Sequence, residues 1–449
     1  MLGDMRTKGR ALASDRGLME LLKGGATSLT MFGLGRLMGV LFVLMVTRRY
    51  GAGAYGAFAL GLTVMTILSV LGRAGLNIAL LRLVAEHASQ GRLDVVKDLF
   101  AKCLAVTLPI ATACAVGLYV SADSLATRVF GQPDLGLYFR VMSVALVPHI
   151  VYQLFVEGLR GLKRIVAYGF FIDVSIFLAA AIVLALLPER LDPALATAIS
   201  YLSGVMLSFV AAGVVWFRKS AFFATVRREG VKLRELISVA TPLLLGSSLV
   251  LVMNWADNLM LGVMSGESAV GIYDVVFRLA VIAGAALQAV NAIAAPKFAE
   301  CYAVGDVDQL RRIVQGSTRI IFWSTLPVVI GCIAAPEVVL GLFGPEFVVG
   351  APAFILLLLG TFVGAISGSV GFLLRMTGGE RTYRNIILVA TVMNVALNAL
   401  LIPLYDFTGA AAASMTSIIF WNIASVYSVR RIYGFYTIYF PFSRYLFSH

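Results

Sequence analysis

The chain has 449 residues, of which 60% are hydrophobic and only 13% are charged, and its mean hydropathy is +0.91. Soluble proteins average about 45–50% apolar and about 25% charged residues, so this composition excludes a soluble domain and indicates a polytopic membrane protein. The net charge of +12 does not indicate a nucleic-acid partner, because the basic residues follow the membrane topology.

Twelve apolar segments of spanning length follow one another along the chain. None of them is a cleavable signal peptide, since the first begins near Gly24, is too long for a signal sequence and leads directly into further spans. An all-α integral membrane protein with twelve transmembrane helices is therefore predicted. The predicted spans are 24–46, 54–82, 99–122, 137–158, 166–187, 194–217, 236–262, 269–296, 315–341, 351–375, 384–402 and 408–429.

Lysine and arginine are distributed unequally between the two sides of the predicted membrane. If the N-terminus is cytoplasmic, 28 of the 36 basic residues fall on the cytoplasmic side and 5 on the opposite side. This bias predicts that both termini are cytoplasmic. The remaining three basic residues, Arg36, Arg73 and Arg278, lie inside spans. The basic stretch 218–234 is either an interfacial helix on anionic lipid or a topogenic loop.

The sequence repeats itself at an offset of 213 to 215 residues, with Gly56 of the first copy opposite Gly271 of the second. We therefore predict an N-terminal six-helix lobe (1–217), the linker (218–234) and a C-terminal six-helix lobe (235–449). Because six is even, both lobes enter the membrane in the same sense, and a substrate site is expected between them. The matching segments are GAGAYGAFALGLTV and GESAVGIYDVVFRL, AEHASQGRLD and AECYAVGDVD, and VFGQP and LFGPE.

Three arginines inside predicted spans need compensation, because a central arginine costs roughly 2.5–3.5 kcal/mol on insertion scales. Arg36 and Arg73 have no acidic residue within one helical turn on their own spans, whereas Arg278 lies four residues after Asp274. Guanidinium groups match the oxygens of phosphate, so we expect a polyanionic substrate to compensate them. By their depth, the three arginines form a series of positive charges leading outward from the cytoplasmic side.

Polar residues recur at helical spacing within several spans, which predicts polar faces around a cavity between the lobes. The alternatives are that the asparagines only join helices and that Asp274 and Arg278 form an ion pair that fixes packing. Asp257 is the first choice for an ion-coupling carboxylate, followed by Asp274 and Asp173, and Asp173 or Asp257 can also meet an arginine across the cavity. The predicted substrate-binding residues are Arg36, Arg73, Arg278, Asn77, Asn254, Asn258 and Gln288.

No pattern of catalytic residues occurs in the sequence. His87 and His149 have no nucleophile at a recognisable spacing, and the four cysteines have no metal-ligand spacing. The segment GLGRLMG around Arg36 does not follow a strand, and no GxxxxGK[ST] motif is present. We therefore predict that the protein is not an enzyme and binds no cofactor or metal. Transport is expected to be coupled to H⁺ or Na⁺ rather than to ATP.

Four stretches resemble the oligosaccharidyl-lipid flippases of the polysaccharide transporter family, within the superfamily that also contains the MATE drug transporters and the lipid II flippase. The resemblance covers essentially the whole chain, and its motifs are specific for the superfamily and less so for the polysaccharide branch. The resembling stretches are RRYGAGAYGAFALG (48–61), ADNLMLGVMSGESAVGIYDVVFRL (256–279), AVNAIAAPKFAE (289–300) and LNALLIPLYDFTGAAAASMTS (397–417).

The resemblance implies a MATE-like, V-shaped pair of lobes in the bacterial inner membrane that translocates undecaprenyl-diphosphate-linked oligosaccharides. In the lipid II branch, arginines of spans 1, 2 and 8 hold the pyrophosphate, and Arg36, Arg73 and Arg278 lie in those spans. Twelve spans are predicted here, two fewer than in that branch, and the comparison within the superfamily favours an O-antigen, capsule or exopolysaccharide unit. The resemblance also implies membrane lipids and polysaccharide polymerases or synthases as partners.

Two other functions compete with this interpretation. A MATE-like cation-coupled drug antiporter requires a cavity dominated by carboxylates, whereas the arginines inside the spans at least balance Asp173, Asp257 and Asp274. A membrane glycosyltransferase or polymerase requires a large outer loop with charged catalytic residues, but the longest predicted outer loops, near 123–136 and 337–350, are short and weakly charged.

Overall fold

A computed structural model describes residues 2–188, 190–220, 236, 255–439 and 441, with side chains from residue 30 onward except 292 and 296. Within these ranges the chain is helical and contains no strand. The helices of the N-terminal half are α1 (Leu2–Arg73), α2 (Leu76–Ser89), α3 (Leu93–Ser124), α4 (Leu135–Gly161), α5 (Ile165–Gly169), α6 (Ile176–Leu186) and α7 (Pro193–Lys219). Two π-helical turns, Leu125–Val129 and Phe170–Ser175, follow α3 and α5.

From residue 255 the described chain of the C-terminal half is again helical. Its helices are α8 (255–264), α9 (Glu267–Ala283), α10 (Ala285–Val304), α11 (Val307–Ala334), α12 (Pro336–Gly341), α13 (Ala351–Ser367), α14 (Val370–Met376) and α15 (Glu380–Tyr433). A 3₁₀ turn, Pro345–Gly350, leads into α13. Most of the predicted seventh span lies outside the described residues.

Eight helices of the described chain are long and apolar enough to cross a membrane, and the pair α9 and α10, bent by 47° at its junction, makes a ninth span if it is counted as one. The helices α1 and α15 are each interrupted by one non-helical residue, Gly51 and Asp406, so each contains two of the predicted spans. The predicted multi-pass, all-α fold is confirmed, and the helices are consistent with twelve spans. The turns between predicted spans 1 and 2 and between predicted spans 11 and 12 are each made by a single residue with positive φ.

Each half is organised around one central helix. In the N-terminal half α4 packs against α2, α3 and α7, and in the C-terminal half α13 packs against α11 and α15. Contacts between the halves are concentrated on α1 and α9. The halves therefore meet along two helices, and a cavity at this seam is shared by both.

The contact between the halves is closest where α1 crosses α9 at two glycines. A Cβ at Gly56 would lie 1.8 Å from the carbonyl oxygen of Glu267, and a Cβ at Gly271 would lie 2.2 Å from that of Ala52. Gly56 and Gly271 are 215 residues apart, and so are Ala52 and Glu267, so each contact is the repeat equivalent of the other. This reciprocity is typical of a two-fold axis between repeated halves.

The two halves also cap each other's helices at this crossing. Gly51 (φ 82°, ψ −178°) and Gly266 (φ 95°, ψ −178°) are repeat equivalents with nearly the same backbone conformation. The N–H of Ala52 donates to Glu346 Oε1 at 2.7 Å. The side-chain amide of Gln132, with its oxygen and nitrogen exchanged, bonds to Glu267 through both atoms. Its oxygen accepts from the N–H of Glu267 at 3.0 Å, and its nitrogen donates to the Glu267 carboxylate. Each helix N-terminus is thus capped by a side chain of the opposite half, which satisfies donors that the helix leaves free.

The segment after α15 returns along the C-terminal half in an extended conformation. Thr437 Oγ1 donates to the carbonyl of Ser367 at 2.9 Å. The N–H of Tyr439 donates to the carbonyl of Ile366 at 3.1 Å. These carbonyls lie at the end of α13, where Gly368 (φ 74°) breaks the predicted tenth span. Backbone groups freed within a membrane need protein partners, and this segment supplies them.

Candidate functional site

Two cavities lie at the seam between the halves, and both are lined by Arg36 of α1 and Arg278 of α9. The smaller cavity has a volume of about 210 Å³ and extends between α1 and the π-helical turn Phe170–Ser175. The larger cavity has a volume of about 360 Å³ and extends between α1, α8 and α9. Two of the three predicted arginines, one from each half, therefore face the same space.

Arg36 has no carboxylate within salt-bridge distance among the described residues. Its guanidinium lies over the ring of Phe32, 4.8 Å from the centroid, and faces Asp173 in the smaller cavity. The neighbouring Gly35 packs directly on the π-helical turn, because a Cβ there would lie 2.6 Å from the carbonyl oxygen of Asp173. Asp173 and Arg36 thus line the same cavity without forming a salt bridge. Among the described residues the guanidinium of Arg36 therefore keeps its hydrogen-bonding capacity toward a ligand.

Arg278 belongs to a buried network that joins the two halves. Its Nε donates to Asp274 at 2.5 Å, one turn earlier on α9. The hydroxyl of Tyr55 on α1 donates to the same carboxylate. Asn258 Nδ2 lies 3.3 Å from Asp274 Oδ1 and 3.5 Å from Thr63 Oγ1. Asp274 is therefore held by its own half and by the opposite half together.

Asp257 lies in a second network, inside the C-terminal half. Its side chain is 3% exposed and accepts hydrogen bonds from Asn398 Nδ2 at 2.6 Å, from Ser414 Oγ at 2.5 Å and from the hydroxyl of Tyr273. No basic side chain pairs with it among the described residues. Asn398 Oδ1 is buried without a hydrogen-bond partner in the described chain. The partners of Asp257 are thus one amide nitrogen and two hydroxyl groups. A carboxylate and hydroxyl oxygens are ligands that a hard cation such as Na⁺ accepts, and the carboxylate can also hold a proton.

The two networks are connected through neighbouring residues. Asp257 points into the C-terminal half, whereas the next residue, Asn258, bonds to Asp274 and Thr63 at the seam. Tyr273 donates to Asp257, and it also lines the larger cavity. Asp257 is therefore connected to the wall of the larger cavity through the side chain of Tyr273 and through its peptide bond to Asn258.

The remaining predicted residues lie elsewhere. Arg73 is half-buried at the end of α1, where its Nε donates to the carbonyl of Ser69 at 3.1 Å, and it lines neither cavity. Asn77 lies just beyond the following break, in the first turn of α2. Gln288 is exposed on α10. Asn254 lies outside the described residues.

Three residues of the site, Tyr55, Tyr273 and Ser414, were not predicted from the sequence. Each donates a hydrogen bond to a buried aspartate. Tyrosine and serine are common in helices and have no charge that makes them conspicuous in an apolar span. The one available signal is the position of Tyr55 beside Gly56, within the segment that repeats around Gly271.

Residues 21–301, more than half of the chain, match the family model described as polysaccharide biosynthesis protein. The chain belongs to the polysaccharide biosynthesis protein family. The resemblance noted in the sequence is thereby confirmed. A relative described as the probable low-salt glycan biosynthesis flippase Agl15 of Haloferax volcanii is 22% identical over 192 residues, which cover 42% of this chain and 40% of that protein. The alignment thus spans less than half of the relative's length.

Two solved structures have the same fold as this family member. The structure of the lipid II flippase MurJ in an inward closed conformation aligns with a TM-score of 0.72 and 12% identity over 89% of this chain and 87% of that chain. An inward-facing MATE multidrug transporter aligns with a TM-score of 0.63 and 15% identity over 91% and 98% of the two chains. The predicted MATE-like fold is confirmed.

Proposed function

We propose that this protein is a flippase that translocates undecaprenyl-diphosphate-linked oligosaccharide units across the cytoplasmic membrane by alternating access. The observation that carries the proposal is the joint lining of both cavities by Arg36 and Arg278, one from each half. Two guanidinium groups facing one space match a diphosphate, because each group presents a planar fork of donors to phosphate oxygens. The family membership and the name of the relative Agl15 support the same substrate class.

The charges of the larger cavity favour an anionic headgroup over a lipophilic cation. Its described lining contains two guanidinium groups and one carboxylate, Asp274, which already pairs with Arg278. A drug antiporter for cations requires the opposite balance, since a cation near two arginines is repelled. Arg36 adds a positive charge that has no ion-pair partner among the described residues, and the diphosphate supplies its counter-charge in the membrane interior.

The network around Asp274 suggests how substrate binding promotes the opening of the outer side. In this structure the halves are closed at the crossing of α1 and α9, where the predicted outer loops lie. A phosphate that binds Arg278 competes with Asp274 for its N–H groups. The carboxylate of Asp274, which Tyr55 of the opposite half contacts, then lacks its cationic partner. The closed conformation would bury an uncompensated charge and is destabilised.

Asp257 is the group that we propose for ion coupling. Its network contains no basic partner among the described residues, so binding of H⁺ or Na⁺ removes the cost of an isolated buried charge. Tyr273 then transmits the change to the larger cavity. The ion gradient thus biases the two conformations, because the ion binds them with different affinity.

The same proposal includes the cellular setting. Both termini are cytoplasmic, the membrane is the bacterial inner membrane, and the product feeds O-antigen, capsule or exopolysaccharide assembly by polymerases or synthases. Arg73, Asn77 and Gln288, which line neither cavity, stay proposed substrate contacts along the path from the cytoplasm. Asn254, outside the described residues, also stays a proposed contact. Asp274 and Asp173 stay secondary proposals for ion coupling, because their arginine neighbours make them less available to a cation.

The test is native mass spectrometry of the purified protein with a polyprenyl-diphosphate sugar and, separately, with a lipophilic cation. We expect the diphosphate lipid to bind the wild type and Arg36→Gln and Arg278→Gln each to weaken it about tenfold or more, because a charge-assisted hydrogen bond contributes about 1.5–3 kcal/mol. Arg140→Gln, which removes an exposed partner of Asp123, is the matched control and should bind normally. Binding of the cation alone would replace this proposal with the drug antiporter.

A further inference from the structure

The two cavities on either side of Arg36 and Arg278 have different linings. The smaller one is lined mainly by glycines and aliphatic side chains, together with Phe177 and Asp173. The larger one combines the aromatic side chains of Trp255, Tyr273 and Phe277 with polar groups. A molecule whose phosphates lie between the two arginines therefore has two chemically different spaces beside it.

The polar groups of the larger cavity are available mainly as acceptors. Thr63 and Thr66 donate their hydroxyl protons to the carbonyls of Ala59, at 2.8 Å, and Leu62, at 2.7 Å. Their oxygens can therefore only accept from a ligand. The amide nitrogen of Asn258 is directed to Asp274 and Thr63, which leaves its oxygen as an acceptor. A ligand with several hydroxyl donors fits this set.

The aromatic side chains supply the second requirement of a sugar site. The face of an aromatic ring is electron-rich and accepts weak contacts from C–H groups, such as those on the apolar face of a pyranose. Trp255 is a half-buried residue of α8 and, of the two cavities, lines only the larger. The volume of about 360 Å³ lies in the range of about 300–1,000 Å³ that is usual for small-molecule sites, whereas 210 Å³ lies below it.

We propose that the larger cavity is the glycan subsite, where the sugar next to the diphosphate stacks on Trp255 and donates hydrogen bonds to Thr63, Thr66 and Asn258. This inference rests on the proposed function, because the diphosphate between Arg36 and Arg278 positions the sugar. It assigns selection of the first sugar to α1, α8 and α9. The smaller cavity takes no part in that selection.

The test compares a polyprenyl-diphosphate sugar with the same polyprenyl diphosphate lacking sugar, by native mass spectrometry of the full-length protein. We expect Trp255→Ala to weaken binding of the glycosylated lipid about tenfold and to change binding of the bare lipid less than twofold. Trp255→Tyr should restore most of the difference, because it retains a stacking surface. Thr63→Val should act in the same direction as Trp255→Ala. Phe177→Ala, in the smaller cavity, is the matched control and should leave the ratio of the two affinities unchanged.

The outcomes separate this inference from the proposed function. Equal weakening of both lipids by Trp255→Ala, or a wild type that does not distinguish them, overturns the glycan subsite while the diphosphate site stands. Binding of neither lipid by the wild type overturns the proposed function and the subsite together. Retained binding of the bare lipid by Trp255→Ala shows that the variant is folded, so a selective loss of the glycosylated lipid supports the subsite.

Discussion

Asp257 and Asp274 lie in adjoining networks but differ in what balances their charge. Asp274 has Arg278 at 2.5 Å, whereas Asp257 has only neutral donors among the described residues. An ionised carboxylate without a cationic partner is costly to bury, so Asp257 is the better site for a proton or a metal cation. Asp274, in contrast, serves to hold Arg278 and Tyr55.

Replacing Asp257 with asparagine should therefore separate ion coupling from substrate binding. Asp257→Asn keeps the shape of the side chain and removes its charge, so we expect export to lose its dependence on the ion gradient, with diphosphate-lipid binding within twofold of wild type. Lipid transport into proteoliposomes, measured with and without a pH or Na⁺ gradient, checks this. Asp123→Asn, which changes an exposed carboxylate, is the control. A variant still driven by the same gradient would rule out Asp257 as the coupling group.

At this scale the sequence predicted charged residues better than their partners. Arg36, Arg278 and Asp257 are conspicuous because a charge in an apolar span demands an explanation. The depths of the three arginines in their spans did not predict that Arg36 and Arg278 share a cavity and that Arg73 lies outside it. Arg73 directly precedes the break at Ala74 and Gly75, which is not visible in hydropathy. Which helix faces which depends on packing across the seam, and spacing along one span does not contain that information.

At the scale of single elements, the contact of α1 with α9 depends on the absence of side chains at two positions. The hypothetical Cβ of Gly56 would overlap the carbonyl of Glu267, and neither helix can yield without moving its backbone. Close approach through small residues is a common way for membrane helices to associate. The repeat in the sequence identified both glycines, but only the structure shows that they meet.

Gly56→Ala should push the halves apart on the predicted outer side. We expect a cysteine introduced at Leu62, which lines the larger cavity, to react severalfold faster with a membrane-impermeant thiol reagent added from outside. The four native cysteines are replaced beforehand. Gly117→Ala on α3, where a Cβ meets nothing within 4 Å, is the matched control and should leave the rate unchanged. An unchanged rate in Gly56→Ala would show that this crossing does not close the outer side.

Helices were predicted well where the length of an apolar segment determines the span. They were predicted poorly where a single residue determines a turn or a break. The spans themselves follow from hydropathy and bilayer thickness. The breaks at Ala74 and Gly75 and at Gly368, and the π-helical turn carrying Asp173, each change the direction or register of a helix inside a predicted span without changing its composition. π-helical turns often occur at functional sites, but their position is fixed by tertiary contacts.

Across the whole molecule, the two halves exchange helix caps. Glu346 accepts from Ala52, and Gln132 accepts from Glu267, at positions related by the internal repeat. These caps exist only while the halves are together, so they stabilise the conformation seen here and not one in which the halves have separated. Removal of a cap costs about 0.5–2 kcal/mol, which corresponds to a population shift of up to about thirtyfold.

Glu346→Ala should therefore shift the equilibrium toward separation of the outer ends. Spin labels at Leu186 and Val338, which are 79% and 69% exposed on opposite halves, report this by pulsed electron resonance. We expect a longer distance component to gain population in Glu346→Ala and to stay near the wild-type level in Glu346→Gln, which retains an acceptor oxygen. Gln132→Ala should act in the same direction. Identical distance distributions in all four proteins would mean that the caps do not contribute to closure.

The crossing at Gly56 and Gly271 has a consequence for how the sequence of this protein can vary. The contact there is formed by main chain against main chain, whereas the residues of α1 that line the larger cavity, Arg36 and Ala59 to Thr66, lie away from it. Substitutions of the cavity lining therefore leave the crossing in place. The contact between the halves and the chemistry of the cavity depend on separate residues of the same two helices, so each can diversify while the other is preserved.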